Sequence, residues 1–257
     1  DEIEAELGRM YETTHTDGRK GRIEYTVWSE VFTCPSCTGE VVFTDAALDL
    51  ETFRVADSLT CPHCGAQSTK ERMDLAFESF LDIATGEVAT RPRRVAVLIN
   101  YKVGKDRFTK RSDRRDAEVL ERIAADPLPA ELPTIPLPDC QMARVGRMRT
   151  TNTSAVHFMF LPRAVHALAG LWRKANACPD ERIRHMLLYF VEQAIWGMSI
   201  MNRYREIQYG RPGGSQVNNY MSGVYYVASS FSEVSPWYIL EAKLKRLVGA
   251  FANDYAK

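Results

Sequence analysis

Two closely spaced cysteine pairs constrain the fold of this chain more than any other feature of its 257 residues. Cys34 and Cys37 form the first pair and Cys61 and Cys64 the second, with 23 residues between the pairs. Two residues between cysteines let both thiolates of one tight turn reach a single metal ion, while amides of the turn donate to the sulfurs. The spacing therefore predicts structural zinc held by four thiolates, with no position left open for a reaction.

Disulfide bonds and a thioredoxin-like redox pair are the alternatives to a zinc site. Disulfides need an oxidising compartment, and the sequence shows no apolar signal segment at its start. One redox motif does not explain two matched pairs. We expect His63, inside the second pair, to lie beside the metal rather than bind it. Cys140 and Cys178 lack a partner at ligand spacing and are interpreted as ordinary residues.

Segments typical of β-strands flank both cysteine pairs. Residues 23–32 partly alternate and are rich in β-formers, residues 40–43 leave the first pair, and residues 53–59 lead into the second. This is the layout of a zinc ribbon, in which two β-hairpins hold one metal ion between their turns. Gly65 tolerates a positive φ where the second turn folds back, whereas Thr38 stands where the first turn would often have glycine.

The sequence after the ribbon changes from strand-like to helical. Residues 73–83 and 95–99 are typical of strands, and a short strand is expected around Phe108. Asp113 should cap a helix that runs through Ala125. Further helices are expected from Pro162 to about residue 177, from the Pro179-Asp180 pair to about Met198, and after Ser235-Pro236, with residues 224–227 as a strand candidate.

These patterns together predict an α+β fold, with a β-rich zinc ribbon and β-hairpin in the N-terminal half and a mainly helical C-terminal half. Apolar helical stripes approach both ends of the chain, so we expect it to be a piece of a larger protein. The predicted units are the end of an entering helix with a connector (1–22), the zinc ribbon (23–70), a β-hairpin plus helix with a basic patch (71–126), a proline-rich linker with an arginine loop (127–150) and a helical domain (151–257).

The balance of charge limits the classes of partner. Lys plus Arg and Asp plus Glu each number 33, which argues against a wholly basic nucleic-acid binder. Residues 88–115 nevertheless carry ten basic and two acidic side chains. A basic hairpin of this kind suits a phosphate backbone. A solvated hairpin whose basic side chains pair with acidic residues elsewhere is equally compatible with the pattern.

Two further clusters, around residues 144–153 and 201–214, mix arginines with small polar side chains. Arginine can bind the edge of guanine, and asparagine that of adenine. Ordinary loop polarity, or basic residues placed favourably at a helix end, explains the same pattern. The candidate DNA contacts of the whole chain are Arg107, Lys110, Arg111, Arg114, Arg144, Arg147, Arg149, Asn202, Arg203 and Arg211.

Catalytic motifs are not recognisable in this sequence. It contains no Gly-rich phosphate loop, no Gly-x-Ser-x-Gly elbow and no His-Glu-x-x-His. We therefore predict no catalytic residue and no residue that binds an organic cofactor. No run of 18 uncharged apolar residues occurs, so no membrane partner is expected, and a cytoplasmic location is predicted.

Short segments spread over nearly the whole chain carry a family resemblance. They are residues 10–13 and 15–18, residues 25–32 leading into the first cysteine pair, and residues 160–163, 201–204, 223–227, 236–237 and 241–245. Together these segments resemble the central part of the large zinc-ribbon-containing adenine-specific DNA methylases of bacteria. None of them is a catalytic motif.

The resemblance implies a role that the chain's own motifs do not supply. In that family a glycine-rich motif that binds S-adenosylmethionine precedes this region, and an Asp-Pro-Pro-Phe-type catalytic motif follows it; this chain holds neither. The implied partners are DNA and the missing methyltransferase domain of the same chain, and S-adenosylmethionine would bind only to the full-length parent. The implied task is to hold DNA around an extruded adenine. The alternatives are a zinc-stabilised structural or protein-interaction module without direct DNA contact, and a separate enzyme with an unrecognised site.

Overall fold

The computed structural model describes residues 2–49, 51–52, 54–82, 85–208 and 211–254. The strands are Glu12–Thr14 (β1), Lys20–Thr33 (β2), Glu40–Val42 (β3), Leu48–Asp49 (β4), Arg54–Val55 (β5), Leu59–Thr60 (β6), Gln67–Ser68 (β7), Asp74–Leu75 (β8), Phe77–Asp82 (β9), Glu87–Pro92 (β10), Arg94–Val103 (β11), Asp106–Arg111 (β12), Ile207–Gln208 (β13), Arg211–Pro212 (β14) and Ser230–Val234 (β15). The α-helices are Glu2–Leu7 (α1), Phe43–Ala47 (α2), Arg114–Ala125 (α3), Gln141–Arg144 (α4), Gly146–Thr150 (α5), Pro162–Asn176 (α6), Glu181–Met198 (α7) and Pro236–Asp254 (α8). Strands predominate in the N-terminal half and helices in the C-terminal half, which confirms the predicted α+β class.

The long strand β2 is the centre of the main sheet. Along one edge it pairs antiparallel with β11, which in turn pairs with β12. Along the other edge it pairs with β1 and β15, both antiparallel. The last residues of β2 pair with β3 and β8 in the cysteine-rich segment. One continuous strand therefore reaches from the main sheet into the predicted ribbon.

Local sequence signals located most of the elements correctly. Residues 95–99 lie inside β11, Phe108 lies in β12, and the 73–83 segment covers β8 and β9, with residue 83 outside the described residues. The Asp113 carboxylate accepts the N–H groups of two residues in the first turn of α3, which completes the expected cap. Pro162 occupies the first turn of α6, and the Asp180 carboxylate accepts the N–H of Ile183 at the start of α7.

The strand expected at residues 224–227 is wrong. That segment has no regular structure, and the strand of this region is β15, a few residues later. The sequence of β15, Ser-Phe-Ser-Glu-Val, lacks the usual apolar alternation, yet all five residues are buried. Its polar side chains find partners inside the protein, so tertiary contacts outweigh the local apolar pattern.

A buried ion pair joins the helices to the sheet. Arg163 of α6 and Glu233 of β15 are 3% and 0% exposed, and their closest N–O distance is 2.5 Å. The same carboxylate oxygen, Oε2 of Glu233, also accepts the indole N–H of Trp28 at 3.0 Å, and Oε1 accepts the Nε–H of Arg163 at 3.2 Å. Arg163 in addition donates to the Thr26 hydroxyl and lies over the ring of Tyr11. The pair is therefore fully surrounded by groups from both halves of the chain.

Replacing Glu233 with Gln should destabilise the protein strongly, because Arg163 would keep a buried charge without its counter-charge. We expect a loss of about 3 kcal/mol in the free energy of unfolding, measured by urea denaturation. The matched control is Glu118→Gln, which breaks an exposed pair with Arg114 on α3 and should change stability by less than about 0.5 kcal/mol. Equal effects of the two substitutions would contradict this account.

Candidate metal centre and candidate nucleic-acid interface

The four cysteines of the two pairs come together as a cluster that could hold a metal ion. All four sulfurs lie within 4.8 Å of one another. The Sγ atoms of Cys34 and Cys64 are 3.8 Å apart, and those of Cys37 and Cys61 are 3.7 Å apart. A tetrahedral site with metal–sulfur distances near 2.3 Å places its sulfurs about 3.8 Å apart. The donor set and its spacing therefore fit zinc, and all four cysteines are free of disulfide bonds.

Both turns that carry the cysteines have the same backbone geometry. In the first, the N–H of Thr38 donates to the Cys34 carbonyl at 2.9 Å; in the second, the N–H of Gly65 donates to the Cys61 carbonyl at 3.0 Å. The fifth position of each turn is left-handed, with φ of 60° at Thr38 and 74° at Gly65. The first turn is thus regular in shape, although a β-branched residue occupies a position that favours glycine.

His63 connects the two turns rather than joining the sulfur cluster. Its Nε2 lies 2.9 Å from the carbonyl oxygen of Glu40, next to the first turn. A Cβ at Gly39 would come within 2.5 Å of the His63 ring, so this close approach requires glycine. The Glu40 carboxylate also pairs with Arg93, which lies between β10 and β11. These contacts fix the second turn against the first from outside the cluster.

The thiols of the cluster do not all ionise equally easily. Backbone N–H groups, that of Ser36 above all, lower the pKa of the Cys34 thiol to about 6 because they stabilise the thiolate. The N–H of Gly39 acts in the same direction on Cys37, but contacts with the Cys64 thiol and others raise the Cys37 pKa to about 12. A quartet of thiolates therefore needs a cation, and metal binding would release protons.

A small hydrophobic core lies beneath the cluster. Phe32, Val41, Leu59 and Met73 are buried there together with the sulfurs of Cys34 and Cys61. The residues come from β2, β3, β6 and the segment before β8, and each of the strands is short apart from β2. Two-residue strands and a core of this size give little stability of their own. A metal ion in the cluster would supply the missing cross-link.

The basic residues of the 88–115 segment are mostly paired with acidic side chains. Glu24, only 6% exposed, accepts both Lys102 and Arg107 at 2.9 Å. Lys110 lies 2.8 Å from the buried Asp116 as well as from Asp113. Ion pairs with acidic partners also hold Arg91, Arg93, Arg111 and Arg114. Most of the excess positive charge counted in this segment is therefore offset within the fold.

Two of the three arginines in the arginine loop between residues 144 and 153 are likewise paired with acidic side chains. Arg147 donates to the fully buried Glu30 and to the carbonyl of Val227. Arg144 pairs with Asp139 at the surface. Arg149 is exposed and makes no ion pair with a described residue. Of the three predicted contacts in this loop, Arg149 is the one that the fold leaves available.

Asn202 is buried and serves the packing of its own loop. Its side chain is 0% exposed, its amide donates to the carbonyls of Gln216 and Ser232, and its carbonyl accepts the N–H of Asn219. Its polar atoms are therefore committed inside the protein. The prediction that Asn202 is a DNA contact is therefore wrong for this fold.

Three arginines follow Asn202: Arg203 and Arg205 precede β13, and Arg211 lies in β14. Arg203 bridges to the backbone of Phe231, which places it against the outer edge of β15. Arg205 and Arg211 are exposed, and none of the three forms an ion pair with a described residue. Arg205 lies within the 201–214 cluster but is not among the candidate contacts predicted from the sequence. The sequence alone does not distinguish these arginines from the ion-paired ones, because the difference depends on where acidic side chains lie in the folded chain.

Comparisons with family models, with curated proteins and with solved structures found no match for the chain. Within the described residues, no helix combines the length and the apolar character needed to cross a bilayer.

Replacing Cys61 with Ser should remove one sulfur ligand, and we expect the variant to lose bound zinc and the fold of the core beneath the cluster. Metal content by elemental analysis and near-UV circular dichroism measure the two effects. Cys140→Ser is the matched control, because Cys140 lies outside the cluster. A full zinc complement in the Cys61→Ser variant would contradict the four-ligand site.

Replacing Thr38 with Gly should stabilise the ribbon. A left-handed conformation costs an L-residue about 1–2 kcal/mol, whereas glycine gains roughly 0.5–1 kcal/mol of entropy in the unfolded chain. We therefore expect a net gain of roughly 0.5 kcal/mol in thermal or urea unfolding. Gly65→Ala, at the equivalent position, should act in the opposite direction. A destabilising Thr38→Gly substitution would show that the first turn draws more on the threonine side chain than on its backbone.

Proposed function

We propose that this chain is the zinc-ribbon part of a bacterial adenine-specific DNA methyltransferase, and that it holds DNA for the catalytic domain of its parent. The clustering of four cysteines at zinc-like spacing is the observation that carries the proposal. The two Cys-x-x-Cys pairs are the most specific motif in the sequence, and their convergence in the fold supports the family resemblance. The DNA-binding role has its own, separate support in unpaired arginines.

Zinc in this proposal is structural. The four sulfurs would fill a tetrahedral coordination shell, which leaves no site for water or substrate. The metal would clamp the turns at the end of β2 and so stabilise the small core beneath them. The residues that surround the cluster, such as His63, orient the turns through hydrogen bonds rather than through chemistry.

The proposed DNA surface lies on the C-terminal arginines rather than on the basic hairpin. Arg203, Arg205 and Arg211 lie within nine residues of each other and face no acidic partner among the described residues. Unpaired arginines can exchange water and counterions for phosphate, which is the main source of affinity for DNA. Arg107 and Lys110 of the hairpin would first have to leave Glu24 and Asp116, both buried carboxylates. Releasing these two basic side chains would leave the buried carboxylates without that counter-charge, which is energetically unfavourable.

Methyl transfer itself belongs to the parent protein in this proposal. The chain would bind neither S-adenosylmethionine nor the reacting adenine by itself, because the family's motifs for both lie outside it. Its contribution would be to grip the duplex while adenine leaves the stack, since the exocyclic amine cannot be reached inside the helix. A cytoplasmic location follows from this role.

A protein-interaction module is the second candidate, and one observation favours it. The helices α7 and α8 expose several large apolar side chains, among them Ile183, Tyr189 and Trp196 on α7 and Leu244 and Val248 on α8. Large apolar side chains exposed in such number on neighbouring helices favour a protein interface. In the lead proposal the same surface would contact the missing methyltransferase domain. In the alternative, the whole chain would brace that domain without touching DNA.

Duplex DNA should bind the purified chain at low salt, and the affinity should fall steeply as salt rises because bound phosphates release counterions. Converting Arg203, Arg205 and Arg211 to Ser should weaken binding at least tenfold and lower the salt slope by up to about three, measured by fluorescence anisotropy. The matched control replaces Arg182, Arg184 and Arg246, three arginines of α7 and α8, with Ser and should leave affinity within about twofold.

The outcome separates the two candidates. Salt-sensitive binding that depends on the loop arginines supports DNA holding. Absence of measurable affinity for duplex DNA at low salt, with zinc bound and the fold intact, would refute it and leave the bracing role. Equal loss of affinity in both triple variants would show that the attraction comes from overall charge rather than from this loop.

A further inference from the structure

A cavity lies apart from the sulfur cluster and from the loop arginines. It has a volume of about 210 Å³ and is bounded by β9, β10, the start of β11, the loop at residues 151–153 and the beginning of α6. Its lining is mainly apolar, with Phe80 and Phe158 in edge-to-face contact on one wall. The volume lies below the usual range of about 300–1,000 Å³ for drug-sized ligands, so it suits a smaller molecule.

Arg94 gives the cavity an unusual charge. Its Nε and Nη2 atoms are buried and have no hydrogen-bond partner, and its guanidinium forms no ion pair with a described residue. Burial lowers the pKa of Arg94 to about 10, although the nearby Glu30 acts in the opposite direction. Glu30 is the cross-strand neighbour of Arg94, but its carboxylate is held by Arg147 and makes no hydrogen bond to Nε or Nη2 of Arg94. The guanidinium lies 5.8 Å from the ring of Phe231, but its two buried N–H groups have no acceptor among the described residues. Buried donors left without a hydrogen bond disfavour folding, and each such group calls for an explanation such as a ligand.

One other feature of the cavity wall favours an anion. Leu161 and Pro162, at the N-terminus of α6, line the cavity, and no side chain caps the free N–H groups of the helix. The positive end of a helix dipole attracts anions at such a place. His157 lines the same wall with its Nε2 2.8 Å from the carboxylate of Asp82, and its Nδ1 is buried without a hydrogen-bond partner among the described residues. Nδ1 would donate to an anion only with His157 protonated on both nitrogens.

We propose that this cavity binds a small organic anion, in which one carboxylate or phosphate group is carried on a flat apolar body. The guanidinium of Arg94 would bind two oxygens of the anionic group, which its planar fork matches. The helix terminus would add backbone donors, and the aromatic wall of Phe80 and Phe158 would contact the apolar body. The inference does not depend on the proposed DNA-binding role, because the cavity lining does not include Arg203, Arg205 or Arg211.

The test titrates benzoate, phenyl phosphate and inorganic phosphate separately into the zinc-loaded chain, by calorimetry and by thermal shift. We expect saturable binding of benzoate or phenyl phosphate with a rise in melting temperature. The preferred probe of the two identifies the anionic group as a carboxylate or a phosphate. Inorganic phosphate that binds as tightly as phenyl phosphate would overturn the apolar part of the site. Failure of all three probes to bind at millimolar concentration would overturn the proposal.

Arg94→Met is the decisive variant, because methionine keeps the length of the side chain and removes its charge. The expected result is a loss of affinity of at least tenfold, with an unchanged or higher melting temperature of the ligand-free protein. Arg115→Met, at an exposed arginine of α3 outside the cavity, is the matched control and should leave affinity unchanged. Should Arg94→Met fail to fold, Arg94→Lys keeps the charge and removes the fork, and it should still weaken binding severalfold. Unchanged affinity in a folded Arg94 variant would overturn the assignment of this residue.

Discussion

The buried pair of Arg163 and Glu233 is the interaction on which the arrangement of the two halves depends. The two residues are 70 positions apart, and neither the helix nor the strand can satisfy its own charge alone. Trp28 and Thr26 of β2 complete the hydrogen bonds around the pair. A buried charge is tolerable only when its partner and its hydrogen bonds are all in place. The pair therefore favours one packing of α6 on the sheet over any other.

Acidic residues on β2 extend the same principle along the sheet. Glu24 and Glu30 are almost fully buried, and each is held by basic side chains from another element. Most basic side chains of residues 88–115 are thus paired within the fold, and three of them, Lys102, Arg107 and Lys110, pair with the buried carboxylates of Glu24 and Asp116. A count of charges along the sequence cannot reveal this, because the acidic partners lie many residues away from the arginines and lysines that they hold.

Local chemistry explains what the sequence could and could not predict. Helix caps at Asp113 and Asp180, the turn at Gly65 and the convergence of two Cys-x-x-Cys pairs each depend on a few neighbouring residues, and all were predictable. The strand β15 was missed because its polar residues are satisfied by distant partners. The burial of Asn202 and the cavity around Arg94 were equally beyond the sequence, since both arise from segments that meet only after folding.

The continuity of β2 has a mechanical consequence for the cysteine turns. Its 14 residues run without interruption from the pairing with β1 to Thr33, immediately before Cys34. An extended strand rises about 3.3 Å per residue, so β2 spans roughly 45 Å. Its pairing with β11 shifts register opposite Val27–Trp28 and opposite Ile23–Tyr25, where bulges add local bend and twist. Its last residues, Phe32 and Thr33, pair with β3 on one edge and with β8 on the other. The first cysteine turn therefore starts from a strand end that is anchored on both sides, and its position follows that of the sheet.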